Sequence, residues 1–386
     1  MKIAVFEGDF DPPHRGHTEA AGAVAEELEP DRLRIVPRPL SRERRENCPS
    51  DEERLSLCRL AFGQLPGAEV SDMALRREGE SRLCDTVAAL REEFPADELI
   101  LIVGTDVLLR LEEQERFRYL LEQCTLAAVA RTEDDDDLIR THACLLREKY
   151  GARVVPVAHT PVPVSAAELR QRLPLRLGAD ELPEAVYEQI IRLRLYGARP
   201  ELPWLRGRIE EHLDPGRIAH VAGCDSEAVM LALRWGEDAD TASEAAILHD
   251  ITKRLSPQEQ LRLCEKYGIM NSNSELAHPK LLHAKTGAAL ARELFGVEEA
   301  VCAAIRYHTT GKPDMTLLEK ILYLADYIEP TRDFPGVEAL RELAYEDIDR
   351  AMALGLQMSI EEIRSRGEEP FEDTINACRR YQAGTE

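Results

Sequence analysis

The stretch Lys2-Ile3-Ala4-Val5-Phe6-Glu7-Gly8-Asp9-Phe10-Asp11-Pro12-Pro13-His14-Arg15-Gly16-His17 decides the fold of the first half of the chain. Ile3 to Phe6 form an unbroken apolar run, which is how a strand buried on both faces reads. A glycine and two prolines then impose a tight loop. Helical spacing follows from about Arg15 to Leu28. A helix that starts at His14 or Arg15 aims its free backbone N–H groups and the positive end of its dipole at whatever the loop holds, and that favours an anion. His14 and His17 lie one turn apart at this start, and Gly16 between them is expected to keep the helix face bare for a nucleotide.

The same rhythm repeats outward from this stretch. Strand-like runs at Arg32–Val36, Ala68–Ser71, Leu99–Val103, Leu126–Ala130 and Arg153–Val157 alternate with helical sequence over Asp51–Phe62, Asp85–Phe94, the residues up to Glu122, and Leu138–Tyr150. Alternation of this kind predicts an α/β unit, a parallel sheet covered by helices on both faces, with its ligand at the carboxyl ends of the strands. The acidic run Glu133–Asp137 reads as a solvated loop. From Ser165 to Tyr196 the pattern is helical, and Gly197–Pro203 carries the glycine and prolines of a short linker. Beyond it Ser256-Pro257-Gln258-Glu259 and Thr316-Leu317-Leu318-Glu319 have the form of helix starts, and no alternating β-branched run appears, so the second half is expected to be all-α. The domains are placed at Met1–Tyr196 and Trp204–Glu386.

A length of 386 residues suits two domains better than one core. The net charge of −23 opposes attraction to nucleic acid or an anionic membrane surface, while small phosphorylated ligands stay open to a locally positive pocket. Nine cysteines without a C-x-x-C pair are expected as reduced thiols. No apolar stretch, Leu99–Val103 included, comes near the ~20 residues that span a bilayer, and a cytoplasmic location is expected.

In the second half, His249-Asp250 follows the apolar run Ala245–Leu248, and Asp326 follows Ile321–Ala325. Both carboxylates are thereby placed at buried helix positions where an unpaired charge is costly, and a shared cation removes that cost. With His220, His283 and His308 they make a set of imidazole and carboxylate donors with no cysteine among them, suited to iron, manganese, zinc or magnesium. A cation in such a site activates water for phosphoanhydride hydrolysis. His220, His249, Asp250 and Asp326 are the first ligands. His283 and His308 complete a second cation site or contact phosphate. Lys253, one turn past the pair, is placed to steady a phosphate oxygen or else is an exposed helix lysine, and Asp250 and Lys253 are the catalytic candidates.

His249-Asp250-Ile251-Thr252-Lys253, His283-Ala284-Lys285-Thr286-Gly287-Ala288, His308-Thr309-Thr310-Gly311-Lys312 and the run from Lys320 to Arg332 resemble the bacterial HD-type symmetrical bis(5′-nucleosyl)-tetraphosphatases from about Trp204 to Gln382. The resemblance implies an iron-containing all-α HD domain that splits diadenosine tetraphosphate into two ADP. Thr309 and Gly311 would then stand at the nucleotide. Ala284 and Glu319 replace the glycine and aspartate expected at those positions.

Asp11-Pro12-Pro13-His14-Arg15-Gly16-His17, with Ser81, Asp85-Thr86, Gly104-Thr105-Asp106 and Val164-Ser165-Ala166-Ala167-Glu168-Leu169-Arg170, resembles the nicotinate mononucleotide adenylyltransferases of the T/HIGH nucleotidyltransferase superfamily from Met1 to about Tyr196. This implies a Rossmann-like domain that takes ATP with Mg2+ and transfers AMP to nicotinate mononucleotide. His14 and His17 would act on the phosphates. Gly8, Phe10, Asp11, Gly16 and Gly104 would line the nucleotide, Asp106 would face its ribose, and Ser165 and Arg170 its phosphates. Glu7 and Asp9 depart from the family's glycine and small hydroxyl residue, and Ala166 and Ala167 from its serine and threonine. On the acceptor side, Pro39-Leu40-Ser41 lacks a histidine-lysine pair, Arg82-Leu83 a tyrosine-threonine pair, and Leu111–Glu115 a tryptophan. Arg38, Arg42, Arg44 and Arg45 either rebuild acceptor contacts or form a solvated basic loop.

The whole chain thus reads as a bifunctional nucleotide enzyme with no nucleic-acid or membrane partner, and a homodimer is left open. Two other readings stay beside it: a first half that binds nucleotide without turnover and regulates the second, and an HD domain that is a nucleotidase or pyrophosphatase of different specificity.

Overall fold

The computed structural model describes residues 1–40, 47–77, 82–270 and 281–383, so Ser41, Arg42, Arg44, Arg45 and Ser81 lie outside the described residues. The chain divides into two compact units, Met1–Arg199 and Pro200–Glu386. Among the described residues no helix is long and apolar enough to cross a membrane.

The first unit is built on six parallel strands, β1 Lys2–Gly8, β2 Arg32–Pro37, β3 Ala68–Val70, β4 Glu98–Gly104, β5 Cys124–Val129 and β6 Val154–Val157, in the order β3-β2-β1-β4-β5-β6. Ile3, Val5, Leu99, Leu101 and Val103 are buried in one core, and each such side chain contributes about 1.5–3 kcal/mol by leaving water. The helices are α1 Arg15–Leu28, α2 Asp51–Phe62, α3 Leu83–Glu93, α4 Thr105–Leu109, α5 Phe117–Gln123, α6 Asp135–Tyr150, α7 Ala166–Arg172 and α8 Glu184–Leu193. Winding runs from β1 outward to β3 and then from β4 outward to β6, so the crevice at the carboxyl ends of β1 and β4 is the switch point of the sheet. The loop that holds His14 opens there.

The acidic run is not wholly a solvated loop. Asp135 opens α6, and its carboxylate accepts from Thr105 Oγ1 at 2.6 Å, from the Arg131 N–H at 2.8 Å and from the Thr132 N–H at 3.1 Å. Negative charge at a helix start is favourable, and here it also ties the end of β5 to α4.

The second unit is helical: α9 Leu202–Glu210, α10 Pro215–Trp235, α11 Ala239–Leu248, α12 Pro257–Tyr267, α13 Leu282–Phe295, α14 Glu299–Tyr307, α15 Leu317–Ile328, α16 Val337–Glu346, α17 Ile348–Ser365 and α18 Glu372–Ala383. Ser256 and Thr316 cap α12 and α15, each accepting from the N–H of a glutamate whose carboxylate returns to the cap N–H. Ala242 to Leu248 are all buried, so beyond its first turn α11 is a central helix with no solvent face. It packs against α10, α14 and α15, and its last turn delivers His249 and Asp250 into the middle of the unit.

Candidate functional site

Hydrogen bonds to the outer ring nitrogens set the aim of the C-terminal histidines. His249 Nδ1 lies 2.7 Å from the Ala246 carbonyl and His308 Nδ1 lies 2.6 Å from that of Ile305, so in both rings Nδ1 donates and Nε2 is left as an acceptor facing inward. His220 Nδ1 is 3.0 Å from Glu329 Oε1, and that carboxylate is itself held by the Thr331 N–H at 2.7 Å. Carbonyl and carboxylate partners of this kind fix the tautomer and orientation of metal-binding imidazoles. Behind His283, the Thr252 hydroxyl donates to its carbonyl at 3.0 Å, and Gln260 and Thr286 complete a buried network around Thr252.

The inward nitrogens converge on two carboxylates. His220 Nε2 is 3.1 Å from Asp326 Oδ1 and 3.8 Å from Asp250 Oδ2, and His249 Nε2 is 3.4 Å from Asp250 Oδ2. On the other side, His283 Nε2 and His308 Nε2 stand 3.3 and 3.8 Å from Asp250 Oδ1. Asp250 therefore turns one oxygen to each pair of histidines. It is buried, and besides these imidazoles its oxygens face the Arg217 guanidinium, 2.8 Å from Oδ2, and Lys253 Nζ, 3.7 Å from Oδ1. The effective penalty for such buried charge is several kcal/mol, and a divalent cation among these donors removes it. The residues fit that group: donor atoms of His220, Cys224, His249 and Asp326, and of His249, Asp250 and His308, lie within 4.8 Å of one another.

Cys224, which the sequence reading left out of the donor set, lies beside these donors. It follows His220 by one turn on α10, and its Sγ is 3.5 Å from His220 Nε2. Gly223 beside it has a separate reason. A Cβ there would stand 2.5 Å from Glu329 Oε2, so only glycine lets that carboxylate reach His220.

Three cations rim the cluster. Arg217 Nη2 is 2.8 Å from Asp250 Oδ2, Arg332 Nη2 is 2.6 Å from Asp326 Oδ1, and Lys253 Nζ is 3.7 Å from Asp250 Oδ1 and 3.0 Å from His283 Nε2. The fields are strong. Burial opposes charge on Asp250, yet His249 and His283 hold its carboxyl well below the usual range. The same burial opposes protonation of His249, and Asp250 and Asp326 outweigh it and hold that imidazole above its ordinary value. His308 is pushed down to about 3 by burial and by the neighbouring His249 and His283. Thr309 follows His308 with a buried, unpartnered hydroxyl. Gly311 adopts a φ of 65°, and a Cβ there would meet Leu356, Ala377 and Met315, so its side faces the core and not the donors.

In the first unit a cavity of about 520 Å³ is lined by Gly8, Phe10, Asp11, His14, Gly16, His17, Gly104, Asp106, Ser165 and Arg170, together with Glu7, Asp9, Arg38, Arg131, Ala166 and Ala167. His14 and His17 stack with centroids 3.6 Å apart. The His14 N–H donates to His17 Nδ1 at 3.2 Å, which leaves the proton of His17 on Nε2. Burial pushes His14 down to about 4, helped by Arg131, and burial with His14 holds His17 well below its ordinary value. Both rings are neutral at pH 7.

Loop anchors complete this site. Arg54 is fully buried and donates to the carbonyls of Asp9 and Arg38, each at 2.7 Å. Arg170 donates to the Asp11 carbonyl at 2.5 Å, and the Tyr196 hydroxyl donates to Asp11 Oδ1 at 2.8 Å. The Asp11–Pro12 peptide is cis. Asp9 is paired with Arg38 at 2.7 Å and Asp106 with Arg131 at 2.9 Å. Burial pushes the carboxyl of Glu7 above the usual range. A Cβ on Gly16 would stand 3.1 Å from the Val162 carbonyl and from Val164 Cγ1, so the bare face of α1 admits the protein's own 162–164 segment. Sequence reasoning gave no role to Arg54, Arg131, Tyr196, Arg217, Gly223, Cys224 or Glu329. A usable signal existed for two of them, since Arg217 and Cys224 share the helix face of His220 at i−3 and i+4.

Residues 217–331 match the HD domain family and residues 5–172 the cytidylyltransferase-like family. A symmetrical bis(5′-nucleosyl)-tetraphosphatase of Bacillus subtilis is 38% identical over 43% of this chain and 90% of its own length. A probable nicotinate-nucleotide adenylyltransferase of Idiomarina loihiensis is 31% identical over 51% of this chain and 100% of its own length. A probable nicotinate-nucleotide adenylyltransferase/Ap4A hydrolase of Mycoplasma pneumoniae is 26% identical over 94% of this chain and 98% of its own length. With both halves matched along nearly the full length of such relatives, the chain belongs by its first unit to the nicotinate-nucleotide adenylyltransferases and by its second to the HD-type symmetrical bis(5′-nucleosyl)-tetraphosphatases.

Proposed function

We propose that the second unit hydrolyses diadenosine tetraphosphate symmetrically to two ADP, and that the first transfers AMP from ATP, taken with Mg2+, to nicotinate mononucleotide, giving deamido-NAD and pyrophosphate. The observation that carries the hydrolase reading is Asp250, buried with one carboxylate oxygen turned to each of two pairs of inward-facing histidine nitrogens. A divalent cation held there, iron by resemblance, supplies Lewis acidity and activation of water. His220, His249, Asp250 and Asp326 would hold it, with His283 and His308 holding a second ion or meeting phosphate. Arg217, Lys253 and Arg332 bring positive charge to the rim, where a tetraphosphate bridge is the natural counterpart. Symmetrical cleavage adds one water across the bond between the two central phosphates, and each half leaves as ADP.

In the first unit, His17 Nε2–H is a neutral donor at the start of α1, supported by the helix's free N–H groups. The acceptor's phosphate oxygen attacks the α-phosphorus of ATP and pyrophosphate leaves. Donors fixed in place before the charge develops supply most of such catalysis. Asp9 is neutralised by Arg38, which lowers the barrier that its charge would otherwise raise against phosphate.

The full chain given diadenosine tetraphosphate is expected to yield ADP alone, followed by chromatography. AMP plus ATP would mean attack at an outer phosphate and would overturn the hydrolase assignment. Given ATP with nicotinate mononucleotide, it is expected to form deamido-NAD; ATP binding without product would support the regulatory reading of the first unit.

A further inference from the structure

We propose that Cys224 is a sulfur ligand of the cation in the HD cluster, so that the ion is held by nitrogen, oxygen and sulfur together. The proposal rests on the reading of that cluster as a metal site. Three observations support it. Cys224 is fully buried and lies one helical turn from His220, on the same face of α10. Its Sγ is 3.5 Å from His220 Nε2 and 4.0 Å from Asp326 Oδ1, while these two donors are 3.1 Å from each other. The fourth member of the group, His249 Nε2, is fully buried, faces the same centre and makes no well-formed hydrogen bond there.

Distances discriminate between a donor that can share an ion and one that is merely nearby. With a metal–nitrogen bond of ~2.0–2.1 Å and a metal–sulfur bond of ~2.3 Å, two ligands on one ion place N and S about 3.1 Å apart at a right angle and about 3.6 Å apart at the tetrahedral angle. The Cys224–His220 separation falls inside that interval without any movement of α10, while the 4.0 Å from Sγ to Asp326 Oδ1 exceeds the matching sulfur–oxygen spacing by ~0.3–0.5 Å and requires the Asp326 carboxylate to turn toward the ion. The plain alternative is a buried thiol donating to His220. Burial and the nearby Asp326 and Glu329 carboxylates favour the protonated thiol in the absence of a cation. A cation between the same groups reverses that preference, because a coordinating thiol is deprotonated outright. A sulfur donor also has a consequence for selectivity, drawing the site toward softer divalent ions such as zinc or iron and away from magnesium.

The full chain, stripped of metal and loaded with cobalt(II), provides the test. Thiolate ligation adds a sulfur-to-cobalt charge-transfer band in the near ultraviolet. That band is expected in the unsubstituted protein and is expected to be lost in Cys224→Val at equal bound cobalt. X-ray absorption at the zinc edge of the unsubstituted protein needs no variant and is expected to show a sulfur shell at about 2.3 Å. Bound zinc surrounded by nitrogen and oxygen alone, or a cobalt band that survives Cys224→Val, would overturn the sulfur assignment and leave the metal site standing. Failure to bind either ion would overturn both.

Discussion

In the N-terminal cleft, His14 and His17 are kept neutral by burial and by the Arg131 guanidinium, and in the C-terminal cluster His249 is held above its ordinary value by Asp250 and Asp326. The same side chain is set to opposite tasks by its neighbours. The cleft gathers neutral donors and helix N–H groups, which suits a ligand that brings negative charge. The cluster gathers buried carboxylates and lone pairs, which suits a ligand that brings positive charge, and then rims them with Arg217, Lys253 and Arg332. A histidine pair in a sequence thus says little by itself; the company of arginine or aspartate decides whether it meets phosphate or metal.

The comparison breaks most sharply at Asp250. Asp250→Ala is expected to lower diadenosine tetraphosphate hydrolysis by at least about three decades, the rate equivalent of several kcal/mol of ion-based stabilisation. Bound metal, measured by elemental analysis, should fall with it, and full activity after controlled reloading would place the site elsewhere. Chelation followed by Mg2+ alone should restore adenylyl transfer and not hydrolysis. Next in size, His17→Ala is expected to slow adenylyl transfer about 10²–10³-fold, the cost of one donor at a developing charge. Because both cleft histidines lose their protons far below neutrality, that activity should not vary with histidine titration between pH 6 and 8, on the order of the range where an ordinary imidazole changes charge. A step near the ordinary histidine value would contradict the neutral-donor assignment.

Gly223→Ala sharpens the comparison from outside the donor set. The added Cβ must displace Glu329, and His220 then loses the carboxylate that fixes its ring. Loss of such an outer partner typically weakens metal binding about 10–100-fold. Unchanged affinity in a chelator competition would show that Glu329 does not orient His220.

These residues also mark how far the chain could be read before its fold was known. The β1 run, the His14/His17 spacing, the capping boxes at Ser256 and Thr316, and the apolar run into His249-Asp250 all announce themselves locally, because each depends on neighbours within a turn or two. Glu329 and His220 are 109 positions apart, and the reason for Gly223 exists only once they meet. Arg54 reads as an ordinary helix arginine until the loops after β1 and β2 close over it. Asp135 hides in a run of acids whose composition suggests solvent, although one carboxylate of that run is committed to Thr105. Gly16 was legible as a glycine that must be small, but the group it makes room for comes from a segment that sequence order places far away.

Glu7 supplies a smaller effect with a definite sign. Its folded-state carboxyl is held above the unfolded value by burial, so the folded form binds the proton more tightly. Stability from this group is therefore present at pH values below the unfolded value and is lost as pH rises through the folded one. Glu7→Gln, which is neutral throughout, is expected to raise the first unit's unfolding temperature relative to the unsubstituted protein at pH 8 and not at pH 4, measured by scanning calorimetry of the full chain. An equal shift at both pH values would mean that packing and not charge explains the change.

The smallest expected effect is the one that decides whether the two units act on each other. Every residue assigned to the cleft belongs to Met1–Arg199 and every residue assigned to the cluster to Pro200–Glu386. The chemistry gives no reason to pass an intermediate, since the proposed transferase product has a two-phosphate bridge and the proposed hydrolase substrate has four. Coupling free energies that count as allosteric are about 1–3 kcal/mol, which would shift an affinity about 5- to 150-fold, and linkage makes any such shift reciprocal. We expect His17→Ala to leave the kinetics of diadenosine tetraphosphate hydrolysis unchanged, and Asp326→Ala to leave ATP binding by calorimetry equally unchanged, since a coupling energy near zero predicts no shift in either direction. The pair of measurements is stronger than either alone. A change of about tenfold in both, with folding intact, would be the reciprocal signature of coupled sites and would favour a regulatory role for the first unit. A change in hydrolysis kinetics alone would not establish coupled binding, because linkage ties binding free energies and not turnover, and it would point to an effect of that substitution on the hydrolase itself.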